Sequence, residues 1–382
     1  MTSRESVPVV FILHAYQPIT QNREILERIM TNCYIPFFEN LLENKNVRIT
    51  LNISGCLLEK LAVDYPDVLT LIEKAILANQ IELMGSAFYH PILPFISIDN
   101  QKYQIGKQKE FIQNILGLNT RVFFPPELAV SEEIIPQIIE KNYEIVVIPD
   151  NSYYQLVGGN YFLENGKSIL TIKRDKEISN KISFDHFKRD VSLGLRELQI
   201  KHKMRDYPIV LAMDLETFGE HHEEYYKFFF ELAAMVDTIA LSKCAANFPI
   251  TRVITEINST SWSTSEDDLE NDIPYPLWDH PENPVHQLQH THIRLLDQIK
   301  QYINSGDWLD EYHAAQYSCQ FWWASRYSWS QELIHTGLKY QRNTLGKMIE
   351  DLSEDSQQII FNLSNDIIKR IIDIVSKIEE QK

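Results

Sequence analysis

Cysteine, basic charge and long apolar runs are all scarce in this chain. Its four cysteines, Cys33, Cys56, Cys244 and Cys319, are scattered, with no CxxC pair and no zinc-type spacing. That excludes a disulfide framework and a cysteine-held metal, and leaves free thiols in a reducing compartment as the expected state. Lys and Arg number 36 against 53 Asp and Glu, a net charge of -17. Such a balance speaks against a nucleic acid or other polyphosphate partner and suits a neutral substrate. No apolar stretch approaches the length of a membrane span. The N-terminal run 7–13 is too short for a signal core and is followed by His14 rather than a small-residue cleavage site. A cytoplasmic protein with no membrane partner is expected. Neither an internal repeat nor a low-complexity tail is present.

What the chain does have is length and apolar content. Its 382 residues are 44% hydrophobic, enough for one large domain with a smaller appendage. Seven short apolar runs read as strands: 7–13, 47–53, 80–87, 120–124, 143–148, 168–173 and 207–213. Charged, periodic segments at 22–43, 57–78, 100–116, 131–142 and 183–203 read as helices between them. This alternation predicts βαβ units and a parallel sheet, and repeated right-handed crossovers curl such a sheet towards a barrel. The fifth crossover, 151–167, reads as a loop carrying Gly158-Gly159. From about Thr255 the character changes to a polar loop, a Pro- and Trp-rich stretch and then helical pattern. The expected division is a catalytic barrel over 1–254 and a helical region over 255–382 that packs on it and contributes to the cleft.

The chemistry gathers at the strand ends. The first strand runs into His14-Ala15-Tyr16-Gln17-Pro18, the third into a segment ending Tyr89-His90-Pro91, and the fourth into Pro125-Pro126-Glu127. The fifth meets Asp150, the sixth Arg174-Asp175 and the seventh Asp214. In a parallel barrel these ends share the face that carries active sites. Glu127 and Asp214 then oppose each other, and two carboxyls ~5–5.5 Å apart are what a retaining glycosidase requires. Glu216 and His221 read as supporting or capping groups. His286 and His290, four residues apart, read as a solvated helix face, and the run 266–268 as an acidic surface loop.

Taken together these motifs resemble glycoside hydrolase family 57. His14-x-Tyr16-Gln17-Pro18, the Glu82 to Pro94 segment with His90-Pro91, Phe124-Pro125-Pro126-Glu127-Leu128-Ala129 and Asp214-x-Glu216-x-Phe218-Gly219 stand in the family's order. Arg174-Asp175, Trp262 and Trp278 match weaker features. The resemblance implies an incomplete (β/α)7, TIM-barrel-like fold followed by a helical region. It implies retaining cleavage of α-1,4-glucans of α-amylase type by double displacement, with no cofactor and no metal. Glu127 becomes the nucleophile and Asp214 the acid/base. His14, His90, Trp262, Arg174, Asp175 and Trp278 become contacts to an α-glucan oligosaccharide or polysaccharide. Glucan transfer or branching is the alternative within the family. A metal-dependent polysaccharide deacetylase, an α-mannosidase-like hydrolase and a non-catalytic glycan binder are more distant ones. Tyr16 stands where many members carry histidine and Phe124 where many carry tryptophan, and the chain is short for the branching and transferring members.

Overall fold

A computed structural model describes residues 7–153, 158–204, 207–246, 253–303 and 306–381, so residues 154–157 of the expected fifth crossover lie outside it. The chain forms two compact units, one from Met1–Gln17, Gln21–Phe88 and Ser97–Trp262, the other from Pro18–Thr20, Tyr89–Ile96 and Ser263–Lys382.

The first unit is α/β. Its strands are β1 (Pro8–Ala15), β2 (Ile49–Ile53), β3 (Ile81–Met84), β4 (Val122–Phe123), β5 (Ile145–Ile148), β6 (Gly158–Phe162), β7 (Ser168–Lys173), β8 (Ile209–Asp214), β9 (Asp237–Thr238) and β10 (Val253–Ile254). One sheet runs β3-β2-β1-β8 with β9 beside β1, and the other runs β10-β6-β7-β5-β4. Pairing is parallel except between β6 and β7. The two sheets touch where Gly85 N–H donates to Val122 O at 2.8 Å, and again where Asp175 N–H donates to Val210 O at 2.6 Å.

All seven expected strands are present, mostly shortened. The expected loop 151–167 is corrected by β6, which returns on β7 as a hairpin closed by Leu163 N–H to Lys167 O at 2.8 Å. Asn165-Gly166, with Gly166 at φ 82°, is the turn chemistry that makes the hairpin. The low apolar content of Gly158-Gly159-Asn160 hid the strand itself.

Helices α1 (Arg23–Ile29), α2 (Ile35–Glu43), α3 (Gly55–Asp64), α4 (Pro66–Leu77), α5 (Ile98–Leu116), α6 (Ile135–Glu140), α7 (Lys176–Ser183), α8 (Val191–Lys203), α9 (Tyr226–Ala233) and α10 (Leu241–Ala245) fill the connections. The helix expected over 183–203 begins only at Val191, because Asp190 accepts from the backbone of Ser192 and Leu193 and caps it there.

Strand residues alternate between two cores. Val9, Phe11 and Leu13 of β1 and Leu211 and Met213 of β8 enter one cluster with the helices. Val10 and Ile12, with Val210 and Ala212, enter a second cluster with Met84, Phe124, Val147 and Ile172. Strands buried on both faces read as continuous apolar runs, which is how these were recognised. At the N-terminal end of that second core sits α10, with Leu241, Cys244 and Ala245 packed in it. Leu241 N–H donates to Thr50 Oγ1 at 3.1 Å and Ser242 N–H to Glu82 Oε2 at 3.0 Å. Glu82, from the second motif, thus caps a helix at that end.

The second unit is helical: α11 (Glu266–Glu270), α12 (Pro284–Ile303), α13 (Leu309–Ala314), α14 (Cys319–Trp322), α15 (Gln331–Met348) and α16 (Glu354–Glu380). The acidic run 266–268 is a helix start rather than a loop, since Ser265 and Asp268 form a capping box. The expected solvated face of His286 and His290 is also corrected. His286 is fully buried, donating from Nε2 to Phe321 O at 2.9 Å and accepting His280 N–H on Nδ1 at 3.1 Å. His290 stacks on Phe321 at 4.4 Å. Among the described residues no helix is long and apolar enough to cross a membrane.

Both ring nitrogens of His286 being occupied, a proton can be added only by breaking the bond from His280, and burial lowers the group to about 4. The unfolded chain titrates near ~6.5 and so binds the proton first. Stability from this group is therefore present above pH ~6.5 and lost as pH falls through that value towards 4, by on the order of 3 kcal/mol. Urea unfolding as a function of pH should show that loss in the parent and a flatter profile in His286→Gln; equal slopes would contradict it.

Candidate active site

The second core ends in polar groups. Continuing each strand by two residues beyond the inward pairs Val10 and Ile12, Val210 and Ala212 leads to His14 and Asp214. These two are direct register partners, and His14 also pairs with Asn52 of β2. Arg174 follows Ile172 on β7 in the same way. The period of two in a strand thus delivers a histidine, an aspartate and an arginine to one end of one interior.

His14 is buried against Phe124, with stacked rings 5.0 Å apart, and Trp262 lies edge-on at 5.9 Å. Asn52 Nδ2 donates to Gly85 O at 3.4 Å, which turns Oδ1 towards His14 Nδ1 at 2.7 Å. Nδ1 therefore carries the proton and Nε2 is the ring's acceptor. Burial lowers the imidazole to about 4, partly opposed by the Asn52 bond, so His14 is neutral at working pH.

Asp214 closes β8. Burial pushes its carboxyl up to about 6, while the charge of Arg174 pulls the other way. Arg174 is itself buried, donating to Ala212 O at 3.2 Å and Asn180 Oδ1 at 2.9 Å, and its guanidinium lies 5.5 Å from the Trp262 ring centroid. Burial brings it down to about 10, opposed by Asp150, Asp214 and Asp175. It stays a cation.

Glu127 sits on a short turn after β4 with φ 58° and ψ 17°, and Leu128 follows at φ 47°. Two successive non-glycine residues in the left-handed region store strain of ~1–3 kcal/mol each and persist only where surroundings enforce them. The enforcement comes from Leu128 N–H to Pro125 O at 2.8 Å, Ala129 N–H to Pro126 O at 2.9 Å and Trp262 N–H to Glu127 O at 3.2 Å. Trp262 therefore links the Glu127 turn to His14 and Arg174.

The other residues expected to contact substrate have the following surroundings. Asp175 caps α7 through Ile178 N–H at 3.1 Å and pairs with Lys201 at 3.0 Å. His90 and Trp278 belong to the second unit. There His90 adopts φ 58° and bonds Ser318 Oγ through Nδ1 at 2.9 Å. Trp278 is 1% exposed, and its indole N–H has no partner among the described residues. Asn52, which bonds His14, was not foreseen as a site residue, although a polar residue on the inward period of a buried strand was a signal for it. Among the described residues no three His, Cys, Asp or Glu side chains gather to hold a metal ion.

A sequence profile described as glycosyl hydrolase family 57 matches residues 5–260. Among curated relatives, a 4-alpha-glucanotransferase of Thermococcus kodakarensis is 28% identical over 176 residues, covering 44% of this chain and 26% of that protein. An alpha-amylase of Pyrococcus abyssi is 28% identical over 171 residues, covering 43% of this chain and 26% of that protein. The match thus spans about a quarter of the length of each of these two relatives. The crystal structure of a branching enzyme of this family from Thermococcus kodakaraensis superposes with a TM-score of 0.72 at 12% identity, covering 95% of this chain and 94% of that chain. The fold is shared with it.

The turn after Asp214 admits little change. A Cβ on Gly219 would lie 2.3 Å from Asn32 O and 2.5 Å from Cys33 Cα. Both are backbone atoms and cannot rotate aside. Gly219→Ala is predicted to destabilise the protein by roughly 1–3 kcal/mol or more, read as a lower urea midpoint; an unchanged midpoint would contradict this packing.

Proposed function

This chain belongs to glycosyl hydrolase family 57, and from that premise we propose that it cleaves α-1,4-glucans with retention of configuration, Glu127 acting as nucleophile and Asp214 as acid/base. The observation that carries the reading is the convergence of Asp214, His14 and Arg174 on one strand-end interior, with Trp262 bonded to the Glu127 turn. We further read the two sheets as one incomplete (β/α)7 barrel, in which β3 passes to β4 at Gly85 and β7 to β8 at Asp175.

The steps follow from the groups present. Asp214, protonated below about 6, gives its proton to the glycosidic oxygen as that bond breaks. Ionised Glu127 attacks the anomeric carbon, and the glucosyl ester that forms carries no charge on Glu127. Asp214, now ionised, takes a proton from an incoming hydroxyl, which attacks the same carbon and releases Glu127. Two inversions give retention. Neutral His14 accepts a sugar hydroxyl on Nε2, and Trp262 offers a ring face to sugar. Water as acceptor gives hydrolysis; a sugar hydroxyl gives transfer, the activity in the name of the Thermococcus relative.

Because Asp214 must start protonated, kcat/KM on malto-oligosaccharides should fall as pH rises through about 6. Asp214→Asn should lower it ~10²–10⁴-fold. Proton NMR of fresh product should show the α-anomer from the parent and none from Glu127→Gln. β-Anomeric product, or full activity in Glu127→Gln, would contradict the mechanism.

A further inference from the structure

Glu216 lies two residues beyond Asp214 on the same turn and is 5% exposed. Gln17 Nε2, from the segment after β1, donates to its Oε1 at 2.8 Å, and the Tyr34 hydroxyl donates to the same oxygen. Gln17 is itself fixed by Gln21 Nε2 at 2.7 Å. Tyr34 ends a π-helical turn, Met30–Tyr34, inserted between α1 and α2. Such insertions are rare and concentrate at functional sites. The neighbouring Cys33 donates its thiol to Leu215 O at 3.3 Å, so the π-turn grips the β8 turn twice. Nothing in the activity proposed above uses these contacts.

We propose that Glu216 is a positioning residue for Asp214: clamped by Tyr34 and Gln17, it fixes the strand-end turn that carries the acid/base. The inference rests on Asp214 having that role. Both donors converge on Oε1, which leaves Oε2 as the oxygen that takes the proton when Glu216 is neutral. The titratable groups facing Glu216 are Asp214 from its own turn and Tyr34 and Cys33 from the π-turn, with Glu220 next to Cys33 and ion-paired with Arg28. Burial and then the charge of Asp214 raise Glu216 to about 7, opposed by the Tyr34 and Gln17 bonds. The consequence is mechanistic. When Asp214 ionises in the middle of the cycle, a neutral Glu216 adds no like-charge penalty. Asp214 loses its proton at about 6 and Glu216 only at about 7, so Asp214 titrates beside a neutral neighbour.

The test compares the parent with Glu216→Gln, Glu216→Ala and Tyr34→Phe on maltoheptaose across pH. Glu216→Gln imitates the neutral acid and should keep kcat/KM within ~10-fold, with its alkaline limb unmoved at about 6 because no charge has been removed. Glu216→Ala and Tyr34→Phe should lower kcat more than they change KM. Glu216→Gln as impaired as Glu216→Ala at every pH, or a limb moved to lower pH, overturns the proposal. A second arm needs no substrate. The unfolded carboxyl titrates near ~4.3 and the folded one higher, so parent stability relative to Glu216→Gln should decline as pH rises from ~4.3 to about 7 and then level. A gap in melting temperature that ignores pH overturns the un-ionised state. A parent inactive on α-glucans overturns the glucan reading alone, and the melting gap still decides the state of Glu216.

Discussion

Side-chain alternation along β1 and β8 is the constraint on which this site depends. Both strands are buried on both faces, so every residue must suit one of two interiors. His14 and Asp214 are direct partners across the pair. A slip of one residue on either strand would send its polar end group into the apolar core beneath the helices, and the lost core contacts would oppose it. Register is therefore enforced by some ten apolar side chains for the benefit of two polar ones. The same rule brings Arg174 in from β7 and Asn52 from β2. The plug formed by α10 at the other end of that interior, held by Thr50 and Glu82, leaves the polar end as the one where chemistry can occur.

Charge at that end is set by a contest between burial and Arg174. Burial alone favours neutral Asp214; a close, fully effective guanidinium would favour the carboxylate. Burial prevails and holds the acid near 6, while Arg174 bonds Ala212 O and Asn180 and turns its face to Trp262. A cation near but not bonded to the acid suits a group that has to be neutral at one step and ionised at the next. Asp175, adjacent in sequence, is withdrawn from this balance by α7 and Lys201. The strained turn at Glu127 belongs to the same economy: its backbone is held by Trp262, the ring that also meets His14.

Much of this was legible in the sequence, and the reasons for success and failure differ by residue. The seven parallel strands were readable because burial on both faces makes continuous apolar runs. Asp214 and Glu127 were singled out together, because one strand-end acid is ordinarily a cap or an ion-pair partner and two of them suggest a site. β6 was missed because Gly158-Gly159-Asn160 carries no apolar period, although Asn165-Gly166 announced its hairpin. His286 was misread because spacing on a helix shows which residues share a face but not what covers that face. Glu216 read as a supporting group, yet its clamp was invisible: Tyr34 is 182 positions away and reaches it through a π-turn that no periodicity marks.

The most direct test of the account is to trap the covalent intermediate. The protein would be incubated with an activated 5-fluoro-maltosyl fluoride, and the intact mass and labelled peptide identified by mass spectrometry. A single glycosyl adduct on Glu127, absent from Glu127→Gln, is the predicted result, since only an ionised strand-end carboxylate can form a stable ester with the anomeric carbon. A slowly hydrolysing adduct on another carboxylate, or rapid turnover of maltoheptaose by protein that never acquires an adduct, would contradict the assignment of Glu127 as nucleophile.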